Sequence, residues 1–158
     1  MRASIARRAA VAATAVLAGL LTVAASAPAA GAAPARSRAD CEHGANGFID
    51  IPDTLSGTQV GAPAEEWAGT KITLEYARRG GGTYGFARLS GGSPWPTDSV
   101  WMDVSNDGGS NWIQCGPFAG FPNNPVTSAA YPTSSSSLRK FRACGKVYVL
   151  AVRCTPWW

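Results

Sequence analysis

The chain has 158 residues, 46% of them hydrophobic and 15% charged, with 14 Lys and Arg against 10 Asp and Glu. Arg2, Arg7 and Arg8 fall in an N-terminal leader, so the remainder carries 11 basic against 10 acidic side chains, a net of +1. That balance leaves no basic stripe to hold a phosphate backbone and argues against a nucleic-acid partner; Arg78 and Arg79, and Arg139, Lys140 and Arg142, read as solvated surface groups.

In chain order, the three arginines precede an apolar run over residues 9–25 and then Ala25-Ser26-Ala27-Pro28-Ala29-Ala30-Gly31-Ala32. This order predicts a secretory signal peptide over residues 1–32, cut after Ala32 because a cut after Ala27 would leave Pro28 next. No later apolar run approaches about 18 residues, so no membrane insertion is expected and the protein reads as secreted and extracellular. Arg38-Ala39-Asp40 before Cys41 is not a lipid-attachment signal. Residues 33–40 read as a flexible tail, and residues 41–158 as one domain of a size that exported chains commonly brace with disulfides.

Helix signals are nearly absent from that domain. Ile72, Leu74 and Tyr76 alternate with Thr73 and Glu75, and residues 84–89 and 99–104 alternate similarly. Residues 111–115, 138–144 and 146–153 complete about six short strands, with a further short one at residues 48–51. Gly, Pro, Ser and Asn clusters separate them, including Arg79-Gly80-Gly81-Gly82 and the Trp95-bearing segment of residues 90–96. The pattern predicts an all-β fold, a small antiparallel β-sandwich or Greek-key barrel. Residues 119–137, with Pro122, Pro125, Pro132 and four consecutive serines, read as a long functional or mobile loop.

Cys41, Cys115, Cys144 and Cys154 are an even set without a Cys-x-x-Cys pair, and His43 is the single histidine. Two disulfides are therefore expected, and no metal site or cofactor. Four cysteines allow three pairings, which spacing leaves open. We expect Cys41 to pair with Cys115 and Cys144 with Cys154. The latter requires a bend within residues 145–151, since a straight strand of that length reaches over about 25 Å.

The most specific local motif is Ser105-Asn106-Asp107-Gly108-Gly109-Ser110-Asn111-Trp112, which resembles the Asp-box Ser-x-Asp-x-Gly-x-Thr-Trp with Asn111 in place of Thr. In such a turn the carboxylate accepts backbone N–H groups, the glycine takes a positive φ and the tryptophan packs beneath, so Ser105, Asp107, Gly109 and Trp112 are expected to be structural. A calcium loop starting at Asp103 is the competing reading, but its twelfth position needs a bidentate Glu and holds Gln114. One Asp-box without a propeller-length repeat does not define a sialidase.

Ile72-Thr73-Leu74-Glu75-Tyr76, Phe86-Ala87-Arg88 and Val100-Trp101-Met102-Asp103 running into the Asp-box carry a wider resemblance. So do Phe141-Arg142-Ala143-Cys144-Gly145 and the ending Arg153-Cys154-Thr155-Pro156-Trp157-Trp158. Over most of residues 70–158 the chain resembles small secreted actinobacterial proteins of the YjfA-like group. It departs from them by lacking a Cys between Tyr76 and Phe86. The group, mostly of unknown function, supplies no activity to carry over.

No catalytic residue is expected. His43 lies near the predicted mature N-terminus, oxidised cysteines offer no thiol nucleophile, and Glu65 and Glu66 are adjacent in a loop and not a carboxylate pair across a cleft. Aromatic residues in loops and at the chain end are the better clue: Trp95, Tyr131, Trp101 and Trp158 are the candidate binding residues. The expected function is a non-catalytic protein-interaction module, an adaptor or subunit of an extracellular complex such as an antibacterial toxin assembly. Its partner would be another secreted or cell-surface protein. The alternatives are a protease inhibitor presenting residues 119–137, and a glycan-binding module.

Overall fold

A computed structural model of the chain describes residues 36–91 and 95–158. The predicted signal peptide, residues 33–35 of the predicted tail and residues 92–94 lie outside the described residues. The strands are β1 (Arg36–Ser37), β2 (Thr58–Gln59), β3 (Glu65–Trp67), β4 (Thr70–Arg79), β5 (Gly82–Ser90), β6 (Ser99–Ser105), β7 (Ile113–Ala119), β8 (Val126–Thr127), β9 (Tyr131–Pro132), β10 (Lys140–Lys146) and β11 (Arg153–Cys154). One sheet runs β1-β7-β6-β10-β11; the other runs β2-β4-β5-β8, with β3 also on β4 and β9 also on β5. Apart from the parallel β1–β7 pair, the strands pair antiparallel. The result is the expected all-β sandwich-like fold with two disulfides, Cys41–Cys115 and Cys144–Cys154.

The period of two explains the core. It sends Ile72 and Leu74 of β4 and Ala87 and Leu89 of β5 inward, where Val100, Met102 and Val104 of β6 and Phe141 of β10 meet them. Each large aliphatic or aromatic side chain so buried contributes roughly 1.5–3 kcal/mol, which makes this layer the main source of stability. The sheets approach closely at Gly145, where a Cβ would lie 2.3 Å from the Ser99 carbonyl oxygen and 2.6 Å from Ile72 Cδ1. The β4–β5 hairpin turns through Gly80 and Gly81, both at positive φ.

Several expectations change. Residues 36–40 are not a loose tail: Arg36 and Ser37 pair with Gln114 and Cys115, and Asp40 accepts the Ser37 backbone N–H at 2.9 Å. The neighbouring Cys41–Cys115 bond holds this segment against β7. Residues 119–137 are not one long loop either. β8 and β9 pair with β5, and Ser128, Ala129 and Ala130 between them are buried, because the backbone edge of β5 needs partners. Residues 146–153 are not a single strand; β10 ends at Lys146, the chain turns with Leu150 N–H donating to the Val147 carbonyl at 3.0 Å, and β11 returns. That turn is the bend the Cys144–Cys154 pairing requires. Residues 48–51 contribute one bridge, Ile49 to Ala130, with Phe48 in the core.

The polar face of β4 is covered as well. Thr73 and Glu75 are buried; the Gly57 N–H donates to Glu75 Oε2 at 2.7 Å and Thr73 Oγ1 donates to Glu75 Oε1 at 2.9 Å. No helix among the described residues is long and apolar enough to cross a membrane.

Candidate recognition surface

Three tight turns bring rings together at one place on the surface. Trp67 ends β3, where a two-residue hairpin follows through Ala68 and Gly69, both at positive φ, as that turn type demands. Trp95 opens a turn closed by Asp98 N–H donating to the Trp95 carbonyl at 2.7 Å, with Pro96 in the position where its fixed φ favours turning. Tyr148 sits in the turn after β10 at φ 54, anchored by its fully buried neighbour Val147. The Trp67 and Tyr148 rings stack with centroids 5.2 Å apart and planes 1° from parallel; Trp95 leans on Tyr148 at 5.6 Å and 46°.

Asp98 fixes two of these turns to each other. Its carboxylate is 1% exposed and accepts the Trp95 backbone N–H through Oδ2 at 2.7 Å and the Tyr148 backbone N–H through Oδ1 at 2.5 Å. Both are charge-assisted bonds, stronger than neutral ones. The rings nevertheless stay open to solvent: Trp67 and Tyr148 are each 39% exposed and Trp95 50%, beside Val149 at 74%. Around Trp67 stand two ion pairs, Glu66 with Lys71 at 3.3 Å and Glu65 with Arg153 at 3.9 Å.

Of the four aromatic residues predicted to bind, the structure places one, Trp95, on this surface. Tyr131 is not a loop anchor: it lies in β9, half-buried, 4.8 Å edge-on to Phe48 and beneath the Arg139 guanidinium, which sits 4.8 Å from its centroid. Its neighbours β5 and Phe141 make it part of the core margin. Trp158 stacks on Tyr76 at 5.8 Å and exchanges backbone hydrogen bonds with Phe141 at 3.0 and 2.9 Å. Trp101 is half-buried on the outer face of β6, opposite Cys144. Trp67 and Tyr148 escape the sequence reading. The signal for Trp67 is the Ala68-Gly69 pair before an alternating strand; Tyr148 carries none, since its segment alternates like a strand.

The turn at residues 105–112 is built from its own side chains. Ser105 Oγ donates to Asp107 Oδ1 at 2.8 Å and accepts the Gly109 N–H at 2.8 Å. Asp107 also accepts the Asn111 backbone N–H at 2.8 Å and its side-chain amide at 2.7 Å, so Asn111 supplies a donor in place of the usual Thr. Those bonds, led by the Asn111 backbone N–H, hold the Asp107 carboxyl down to about 2. Trp112 meets Trp157 edge-on at 6.1 Å, and the Arg142 guanidinium sits over both rings at 4.7 and 4.3 Å.

Arg142 Nε also donates to Asp103 Oδ2 at 2.7 Å, so the carboxylate that would open a calcium loop is already paired with a cation. Burial pushes the Asp103 carboxyl up, outweighing the Arg142 hydrogen bond and charge. Its other oxygen, Oδ1, is buried without a hydrogen-bond partner. His43 lines a pocket of about 210 Å³ with Arg38, Glu42, Asp50, Asp53 and Phe118. There its side chain is 93% exposed and 3.7 Å from Asp50, while Arg38 is already bonded to Glu42 at 2.6 Å.

Comparison with known proteins finds no counterpart: no family model, no curated protein and no solved structure matches the chain.

Proposed function

We propose that the protein is a secreted, non-catalytic recognition module that binds a partner protein through Trp67, Trp95 and Tyr148. The observation that carries this reading is the exposed ring cluster on three turns, two of them fixed by the buried Asp98 carboxylate. Tyrosine and tryptophan held in place before contact lose little entropy on binding and are the side chains that dominate protein interfaces. Val149 at 74% exposure extends the rings with aliphatic surface, which favours a protein over a hydroxyl-rich glycan. Secretion is supported by the leader pattern of residues 1–32 and by two disulfides, bonds that persist in oxidising compartments. The protease-inhibitor reading loses ground because β8 and β9 stitch residues 126–132 into a sheet.

The test is co-purification from culture fluid with wild type, Trp95→Ala and Tyr148→Ala proteins. Each substitution is expected to cost about 2 kcal/mol of binding, about thirtyfold in affinity, with the far-UV spectrum unchanged. Equal retention of the same partner by all three would refute the surface assignment. Retention of a polysaccharide in place of a protein would replace the protein reading with the glycan one.

A further inference from the structure

We infer that the Cys144–Cys154 disulfide is a reducible latch on this recognition surface, opened by a dithiol reductant. That it controls recognition rests on the function proposed above; that it opens first rests on the disulfide's own surroundings.

The two disulfides are placed differently. Cys41 and Cys115 are both fully buried and join segments 74 residues apart. Cys144 is fully buried too, but Cys154 is exposed on the two-residue edge strand β11. Exposed disulfides are the labile ones, because exchange needs a thiolate to reach a sulfur atom. The accessible end is therefore Cys154, and the sulfur released first is that of Cys144.

Cys144 has a partner waiting. Its Sγ lies 3.7 Å from Oδ2 of the buried Asp103 carboxylate. A disulfide sulfur has no proton to give this carboxylate, whereas a thiol has one. Reduction therefore lets the Cys144 thiol donate to Asp103 Oδ2, beside the bond that Oδ2 already accepts from Arg142 Nε, which favours the reduced state at this site.

The segment that the bond closes carries Tyr148 and Val149. Once it opens, residues 146–153 lose their covalent closure and Tyr148 is held only by its Asp98 bond and its stack on Trp67, so the ring geometry loosens. The chain beyond stays attached. Thr155 N–H donates to the Ala143 carbonyl at 2.8 Å, Thr155 Oγ1 accepts the Ala143 N–H at 3.1 Å, and Trp158 pairs with Phe141. The loosening is local.

In the exchange, one thiolate of the reductant attacks Cys154 Sγ, forming a mixed disulfide as the protein S–S bond breaks. The Cys144 sulfur leaves with the electron pair and takes up a proton. The reductant's second thiolate then attacks its own sulfur in the mixed disulfide and releases Cys154, which is protonated in turn. The protein gains two electrons and two protons, and the dithiol becomes a disulfide.

The experiment titrates the native protein with dithiothreitol, alkylates and maps the free thiols, and records near-UV and far-UV circular dichroism. Cys144 and Cys154 are expected to be alkylated at about tenfold lower reductant than Cys41 and Cys115. The aromatic near-UV signal should fall while the far-UV strand signal stays. A Cys144→Ser, Cys154→Ser double variant should keep the strand signal and show the diminished aromatic signal without reductant. Simultaneous opening of both disulfides would overturn the inference, as would opening of Cys41–Cys115 first, or an aromatic signal unchanged once Cys144 and Cys154 are free. These readouts need no partner, so their failure leaves the Trp95→Ala and Tyr148→Ala binding test intact. A failed binding test likewise leaves the order of reduction standing.

Discussion

Replacing Asp98 with alanine is the most direct test of how the ring cluster is held. The carboxylate is 1% exposed and accepts two backbone N–H groups, from Trp95 at 2.7 Å and from Tyr148 at 2.5 Å. A hydrogen bond to a charged group contributes about 1.5–3 kcal/mol, so losing both is expected to lower the unfolding free energy by about 3–6 kcal/mol. The Asp98 carbonyl bond from Gly120 N–H at 2.7 Å survives the substitution, so the turn loosens without detaching β6. Urea denaturation followed by tryptophan fluorescence measures the loss, and near-UV circular dichroism reports the ring geometry. Asp50→Ala is the control, since exposed Asp50 also accepts a backbone N–H, that of His43 at 3.1 Å. Asp98→Asn should fall between, because its amide turns one acceptor into a donor facing an N–H group. A loss below about 1 kcal/mol, or no greater than in Asp50→Ala, would mean that the ring turns hold themselves and the carboxylate is incidental.

Other expectations concern the core and the charged groups. Tyr131→Ala should cost about 2–4 kcal/mol in the same denaturation assay, as befits a packing residue, whereas Trp95→Ala should cost under about 1 kcal/mol. Gly145→Ala should destabilise by about 1–3 kcal/mol, because its Cβ has no room between Ser99 and Ile72; an unchanged midpoint would show that the sheets can part there. The Asp107 carboxyl is held at about 2 against an ordinary 3.8, so its contribution is full above pH 3.8 and is lost as pH falls toward 2. Asp107→Ala should lower the melting temperature at neutral pH and remove that part of the acid transition, which a thermal series from pH 2 to 7 would reveal. Asp103 has the opposite sign. Its raised folded value means that protonation favours the folded state and that this gain is lost as pH rises through the folded value; Asp103→Asn should remove that slope from the same series.

Alternation made β4, β5 and β6 legible, since Ile72, Leu74, Val100, Met102 and Val104 repeat every second residue and all face the core. The turn at residues 105–112 was legible because its bonds are local, within four residues of Asp107. The strand at Tyr131 was not legible because a Pro- and Ser-rich stretch carries no period, and what orders it is pairing with β5, far away in sequence. Tyr148 was misread for the reverse reason. Val147 to Val152 read like a strand, but the Cys144–Cys154 bond and the positive φ of Tyr148 force a turn that period-two patterning cannot signal. The ring cluster depends on Asp98 joining two segments 53 residues apart in numbering, Trp95 and Tyr148, and no local pattern records such a tie.

The position of β10 carries a consequence for how the chain matures. It lies between β6 and β11, and its Phe141 and Arg142 receive Trp158 and Trp157. A polypeptide delivered N-terminus first can close the β4–β5 hairpin early, since those contacts are local. The first sheet cannot complete itself until residues 140–158 have emerged, and until then Phe141 is missing from the layer where β4, β5 and β6 meet. Residues 140–158 therefore close the sheet last, and a chain that ends before Lys140 leaves the backbone edge of β6 unpaired on that side.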